Sequence, residues 1–155
     1  MRELKNLGPW RLIIHLGDDR SKNIMFVMAD SKTPKIRLLV VDDAPFIREI
    51  VRHVANANSI ELVGEAADGV EAVEMTLKLR PNVILMDIIM PRKSGIEATK
   101  EIKALHPEIK IIAFSTADQE TMVMRALEAG CCNFLVKPFK SEELVAMVMK
   151  SITER

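Results

Sequence analysis

The sequence predicts an α/β fold, a doubly wound sandwich of five β–α units, and three observations carry that expectation. From residue 36 onward, short β-rich runs alternate with segments of helical periodicity. Four of the five β-rich runs are near-continuous apolar stretches, the form taken by parallel strands covered on both faces. The alternation fits five units into about the minimum length, which points to right-handed crossovers.

The strand candidates are 36–41 (IRLLVV), 60–65 (IELVGE), 82–86 (NVILM), 110–114 (KIIAF) and 133–136 (NFLV). Between them, segment 45–56 places Ile47, Ile50, Val51 and Val54 at helical spacing, and segment 69–79 places Val70, Val73 and Leu77 on one side. Segment 94–105 opens on Ser94-Gly95-Ile96-Glu97, a capping-box pattern. Segment 118–129 opens at Asp118 and runs to Gly130, a C-cap signal. Segment 141–152 opens at Ser141 and carries Leu144, Val145, Val148 and Ile152 at helical spacing.

The first 34 residues stand outside this alternation. WRLIIHL (10–16) and NIMFVMA (23–29) each suit a strand, an added helix or an unstructured tail, and Ser31-Lys32-Thr33-Pro34 reads as a linker. Met28, in MADSKTPKIRLLVVDD, looks like a natural chain start. Residues 1–34 are therefore expected to be an N-terminal extension, disordered or of non-native origin, before a domain at 35–155. Residues 1–27 are expected to have no catalytic importance.

Bulk composition narrows the function classes. With 155 residues, 48% hydrophobic and 28% charged, the chain can bury a core. Lys plus Arg equals Asp plus Glu at 22 each, which argues against a nucleic-acid module built on a basic face. No stretch of 18 apolar residues predicts a membrane span, and the N-terminus lacks the features of a signal peptide. The adjacent Cys131 and Cys132 are poorly placed for a structural bridge, so a reduced, cytoplasmic protein with both thiols as packing residues is expected. His15, His53 and His106 show no ligand spacing, and the ten methionines read mostly as core filler.

The chemistry gathers at strand ends. In an open α/β sheet, ligands bind outside the carboxyl ends of the strands, where the strand order switches. Asp42 and Asp43 end the first strand and Asp87 ends the third, so neighbouring strands would bring three carboxylates together. Like charges that close raise one another's pKa unless a cation sits among them. Hard carboxylate oxygens suit Mg²⁺. Lys137 ends the fifth strand and reaches the same crest as a point charge, while Ser115 ends the fourth and offers a hydroxyl. Metal, lysine and hydroxyl together would cradle three phosphoryl oxygens, with Asp87 as the nucleophile that forms an aspartyl phosphate.

The landmarks VVDDAPF, ADGVEAV, VILMDIIMPRKSGIEA, IIAFS and ALEAGCCNFLVKPF fall in one order over residues 35–154. In that order they resemble the receiver domain of two-component response regulators, and most of all the chemotaxis-type (CheY-like) single-domain regulators. The resemblance implies a flavodoxin-like (βα)5 fold with strand order 2-1-3-4-5. It implies that Asp87 is the phosphoacceptor and that Asp42, Asp43, Asp87 and the backbone carbonyl of Ile89 hold Mg²⁺. Lys137 would contact the phosphoryl group, Ser115 would be the switch hydroxyl with Thr116 as its alternative, and Phe134 would fill the place of the switch aromatic. The implied partners are a sensor histidine kinase and a downstream effector, the latter meeting the face made by 118–129, 133–136 and 141–152.

The expected function is thus a signalling switch in a two-component system, with chemotaxis as its pathway, that catalyses only its own phosphorylation and dephosphorylation. Three other readings stand beside it: a phosphorelay shuttle to a histidine phosphotransfer domain, a Mg²⁺-dependent phosphatase with an aspartyl nucleophile, and a binding module with a degenerate site. A transcription factor is not expected, because nothing after residue 155 remains to hold a DNA-binding domain. For Pro138 after Lys137 the resemblance allows a cis bond, as in many relatives, while a trans turn is the base-rate expectation.

Overall fold

The computed structural model describes residues 2–7, 10–14, 24–28, 34–116 and 120–154. By its contacts the chain falls into two units, Met1–Lys35 and Ile36–Arg155. The first contains strands β1 (Arg2–Leu7), β2 (Trp10–Ile14) and β3 (Ile24–Met28), paired antiparallel in the order β1-β2-β3. Most of the 31–34 linker and Asp118 of the predicted helix start lie outside the described residues.

The second unit holds five strands, β4 (Arg37–Val41), β5 (Glu61–Ala66), β6 (Val83–Asp87), β7 (Lys110–Ser115) and β8 (Asn133–Val136). They pair in parallel in the order β5-β4-β6-β7-β8. Within this unit that is the order 2-1-3-4-5 of the flavodoxin-like receiver fold. The helices α1 (Pro45–Ala57), α2 (Gly69–Leu79), α3 (Gly95–Leu105), α4 (Glu120–Ala129) and α5 (Ser141–Thr153) fill the crossovers.

Alternation along the strands divides the core between two faces, because successive strand side chains point in opposite directions. Leu39, Val41, Ile84, Met86, Ile111 and Ala113 pack with residues of α2, α3 and α4. Leu38, Val40, Val83, Leu85, Ile112 and Phe114 pack with residues of α1 and α5. With helices on both sides, the central strand β6 is buried along its whole length, which is why its sequence is an apolar run ending on a single carboxylate. That geometry sends the polar residues of the strand ends to one crest.

Local signals explain the helix ends. Ser94 accepts the Glu97 N–H at 3.2 Å, and the Glu97 carboxylate accepts the Ser94 N–H at 2.9 Å, closing the predicted capping box. After α4 the chain turns at Gly130 with φ 113°, a conformation that suits a residue without Cβ.

Helix α2 buries a different stripe from the one expected. Val70 and Leu77 are exposed, while Gly69, Ala72 and Thr76 are buried and Val73 is partly buried. Small residues are what the close approach of the helix requires, and the Thr76 hydroxyl meets its own need by donating to the Ala72 carbonyl at 2.7 Å. The Lys137–Pro138 bond is cis, contrary to the base-rate expectation.

Candidate functional site

Register brings the acidic residues together. β4 and β6 are neighbours, with Val41 opposite Met86, so the next residues along, Asp42 and Asp87, stand side by side. One carboxylate oxygen from each of Asp42, Asp43 and Asp87 lies within 4.8 Å of the others. Asp42 is fully buried, Asp87 is nearly so, and Asp43 is exposed at the mouth.

Asp42 is held through both its backbone and its carboxylate. The Asp42 N–H donates to the Ala66 carbonyl at 3.0 Å, tying the end of β4 to the end of β5. Asp42 Oδ1 accepts the Ala44 N–H at 2.8 Å, and Arg48 Nη1 donates to the Asp42 carbonyl at 2.6 Å. Arg48 escapes a reading of the sequence, because its position on the first turn of α1 looks like an ordinary solvated arginine. Gly95 is a second residue whose role the sequence hides behind the capping box. Its N–H donates to the Ile88 carbonyl at 3.0 Å, and a Cβ there would stand 1.9 Å from the Asp87 carbonyl oxygen. Only glycine lets α3 begin so close to the end of β6.

Lys137 completes the cluster from β8. Its Nζ donates to Asp42 Oδ2 at 2.5 Å and lies 3.5 Å from Asp87 Oδ2. The ammonium also sits 4.2 Å from the centroid of the buried Phe114 ring, whose π face favours a cation. Its backbone is fixed as well, because the Lys137 N–H donates to the Ser115 carbonyl at 2.9 Å.

One lysine does not balance three carboxylates. Burial pushes the Asp87 carboxyl up to about 6; Lys137 and the Ile89 backbone N–H pull it down, while Asp42 and Asp43 push it up. The site is therefore short of positive charge and offers hard oxygen donors in a cluster of the right size for a divalent cation, so the residues present fit Mg²⁺.

The remaining predicted residues lie at the end of β7, on β8 and in the loop after β6. Ser115 is buried at the end of β7, and Thr116 is exposed one residue beyond. Phe134 pairs with Ala113 across β7 and β8 and packs, partly buried, against the face covered by α2, α3 and α4. Strand alternation puts Ser115 on that same face as Ala113. Ile89 is exposed after β6, and with Ile88, Met90, Ser94, Ile96, Met122 and Arg125 it lines a hollow of about 190 Å³ on the side covered by α3 and α4. Cys131 and Cys132 are both free thiols, and burial pushes the Cys131 thiol up to about 11, which suits a packing role.

Residues 38–149 match the family model of the response regulator receiver domain. The chain belongs to that family. It is CheY-like: it is 42% identical over 114 residues to the chemotaxis protein CheY of Thermotoga maritima, covering 74% of this chain and 95% of that one. Among solved structures it is similar to the response regulator domain of Thermotoga maritima CheB, with a TM-score of 0.72 and 35% identity over 77% of this chain and 98% of that one. The receiver domain of the Pseudomonas aeruginosa sensor histidine kinase PA1611 gives a TM-score of 0.71 at 29% identity, covering 77% and 98% of the two chains. That neighbour carries a magnesium ion coordinated in its active-site cleft. No described helix of this chain is long and apolar enough to cross a membrane.

Proposed function

We propose that this receiver is a cytoplasmic phosphoacceptor switch of the chemotaxis type, phosphorylated on Asp87. The observation that carries the reading is the charge arrangement: a nearly buried nucleophilic carboxylate beside Asp42 and Asp43, with Lys137 Nζ 3.5 Å away. An Asp87 carboxylate oxygen attacks the phosphorus of a kinase phosphohistidine. As the O–P bond forms the P–N bond breaks, and the departing imidazole nitrogen takes a proton from solvent. Lys137 holds a positive charge where the phosphoryl oxygens gather negative charge, and Ser115 offers a hydroxyl to one of them. Mg²⁺, held by Asp42, Asp43, Asp87 and the Ile89 carbonyl, supplies further neutralisation of that charge when bound.

The phosphoryl group adds about −1.5 to −2 charge at the crest. Drawing Ser115 and Lys137 toward it shifts a two-state equilibrium in which α4 and Phe134 repack. Phe134 has no hydroxyl, so the change rests on packing alone. The effector face is formed by α4, β8 and α5, where Met124, Leu127, Val136 and Met149 are exposed. Adding acetyl phosphate and Mg²⁺ is expected to move amide NMR signals of residues 115–116, 120–129 and 133–136 in the wild type. The same shifts in Asp87→Asn would contradict the reading.

The lifetime of the aspartyl phosphate follows from its neighbours. Ile89, two residues after Asp87, and Ala117, two after Ser115, have no group that can orient an attacking water. Slow self-dephosphorylation is expected, and Ile89→Asn is expected to shorten the phosphoryl lifetime severalfold, as followed by the decay of the phosphorylated mass. A lifetime that hardly changes would count against this account of hydrolysis.

A further inference from the structure

The loop from Ile88 to Ser94, between β6 and α3, is tied down at its far end as well as at its base. The base is closed by the Gly95 N–H on the Ile88 carbonyl at 3.0 Å. At the tip, the Gly69 N–H donates to the Lys93 carbonyl at 3.1 Å, and a Cβ on Gly69 would stand 2.5 Å from that same oxygen. One residue earlier, the Arg92 guanidinium donates to Asp68 Oδ2. The loop is thereby moored to the start of α2, a different crossover of the fold.

Both partners in this ion pair are unusual. Asp68 is buried, and its Oδ1 already accepts the Val70 and Glu71 N–H groups at 2.8 and 3.0 Å. Helix capping alone would therefore satisfy one oxygen and leave Oδ2 for the guanidinium. Arg92 has φ 65°, a left-handed conformation that non-glycine residues seldom adopt and that persists where the surroundings enforce it. Its side chain is otherwise 63% exposed, so packing does not enforce it. Glu71 buttresses the pair, with Oε1 3.8 Å from Arg92 and Oε2 accepting the Ala67 N–H at 2.8 Å.

The loop so held carries Ile89, two residues beyond Asp87, and the Ile89 backbone N–H helps to lower the pKa of the Asp87 carboxyl. We propose that Arg92, through its ion pair with Asp68, is a positioning residue for the divalent-cation site, holding the 88–94 loop so that the Ile89 backbone stays against Asp87. This rests on the reading of Asp42, Asp43 and Asp87 as that site.

The test is calorimetric titration of the full chain with MgCl₂, without phosphodonor, for wild type, Arg92→Gly, Asp68→Asn, their double variant and Arg92→Lys. Glycine suits φ 65°, so Arg92→Gly removes the ion pair without asking the backbone to change. Charge alone makes opposite predictions for the two single variants. Losing a positive charge would tighten Mg²⁺ binding, and losing a negative one would weaken it. Positioning predicts that both weaken it, by about tenfold, the scale on which groups that orient metal ligands act. The double variant should be no weaker than either single one, Arg92→Lys should recover most of the affinity, and the Ile89 amide NMR signal should move in the two single variants. Binding by Arg92→Gly as tight as wild type, even with a lower melting temperature, would overturn the positioning role while leaving the cation site standing. Failure of the wild type to bind Mg²⁺ would overturn both.

Discussion

At pH 7.5, with divalent cations chelated, Asp87→Asn is expected to be more stable than the wild type by about 2–3 kcal/mol. The sign follows from the carboxyl's displacement. In the folded protein Asp87 keeps its proton up to about pH 6, whereas an ordinary aspartate releases it near 3.8. The folded state therefore binds the proton more tightly than the unfolded state does. Stability contributed by this group is lost as pH rises from about 4 to about 6, and the full penalty stands above that range. A displacement of about two pH units corresponds to about 3 kcal/mol at the upper end. Asparagine cannot ionise, so the variant escapes the penalty at neutral pH and loses its advantage below pH 4. Urea unfolding followed by circular dichroism at pH 7.5 and pH 4 measures both ends. A variant that is less stable than wild type at pH 7.5 would show that Asp87 is stabilised in its charged form by its neighbours. A stability gap of this sign is the mark of a residue kept for chemistry at the expense of folding.

The second large effect concerns Lys137. Its ammonium lies between Asp42 and Asp87 and over the Phe114 ring, with little exposure to water. Lys137→Met should slow phosphorylation by small phosphodonors about 10²-fold, the range found when one preorganised charge-stabilising group is removed. Two causes act together. The phosphoryl oxygens lose a positive partner, and Asp87 loses the group that most lowers its pKa, so more of it is protonated at neutral pH. The second cause gives a specific signature: the pH of half-maximal phosphorylation rate should move upward in the variant. A rate that falls without any shift in the pH profile would assign the whole effect to the transition state, and an unchanged rate would remove Lys137 from the site.

The strands and most helices were legible because their signals are local. Apolar runs such as VILMD and LLVV leave few alternatives to buried parallel strands, and the Ser94–Glu97 box marks a helix start with four residues. The acidic cluster was legible for a different reason: the strand ends of a doubly wound sheet share one crest, which is where Asp42, Asp43, Asp87 and Lys137 meet. What stayed hidden depends on contacts between distant segments. The buried stripe of α2 follows Gly69, Ala72 and Thr76 because the helix approaches closely there, and side-chain size, not hydrophobicity, decides that. Arg48 and Arg92 look like solvated charges along the chain, yet one braces the Asp42 carbonyl and the other meets the buried Asp68. The cis Lys137–Pro138 bond has no signal in composition; the family resemblance allows it, while base rates point the other way.

The proposed role of Asp87 is that of a nucleophile working beside a divalent cation. Its most direct test is the intact mass of wild type and Asp87→Asn after incubation with acetyl phosphate, with and without Mg²⁺. A gain of one phosphoryl group in the wild type, dependent on Mg²⁺ and absent from the variant, is the predicted result. A folded wild type that gains no mass, or a variant that gains as much, would contradict it.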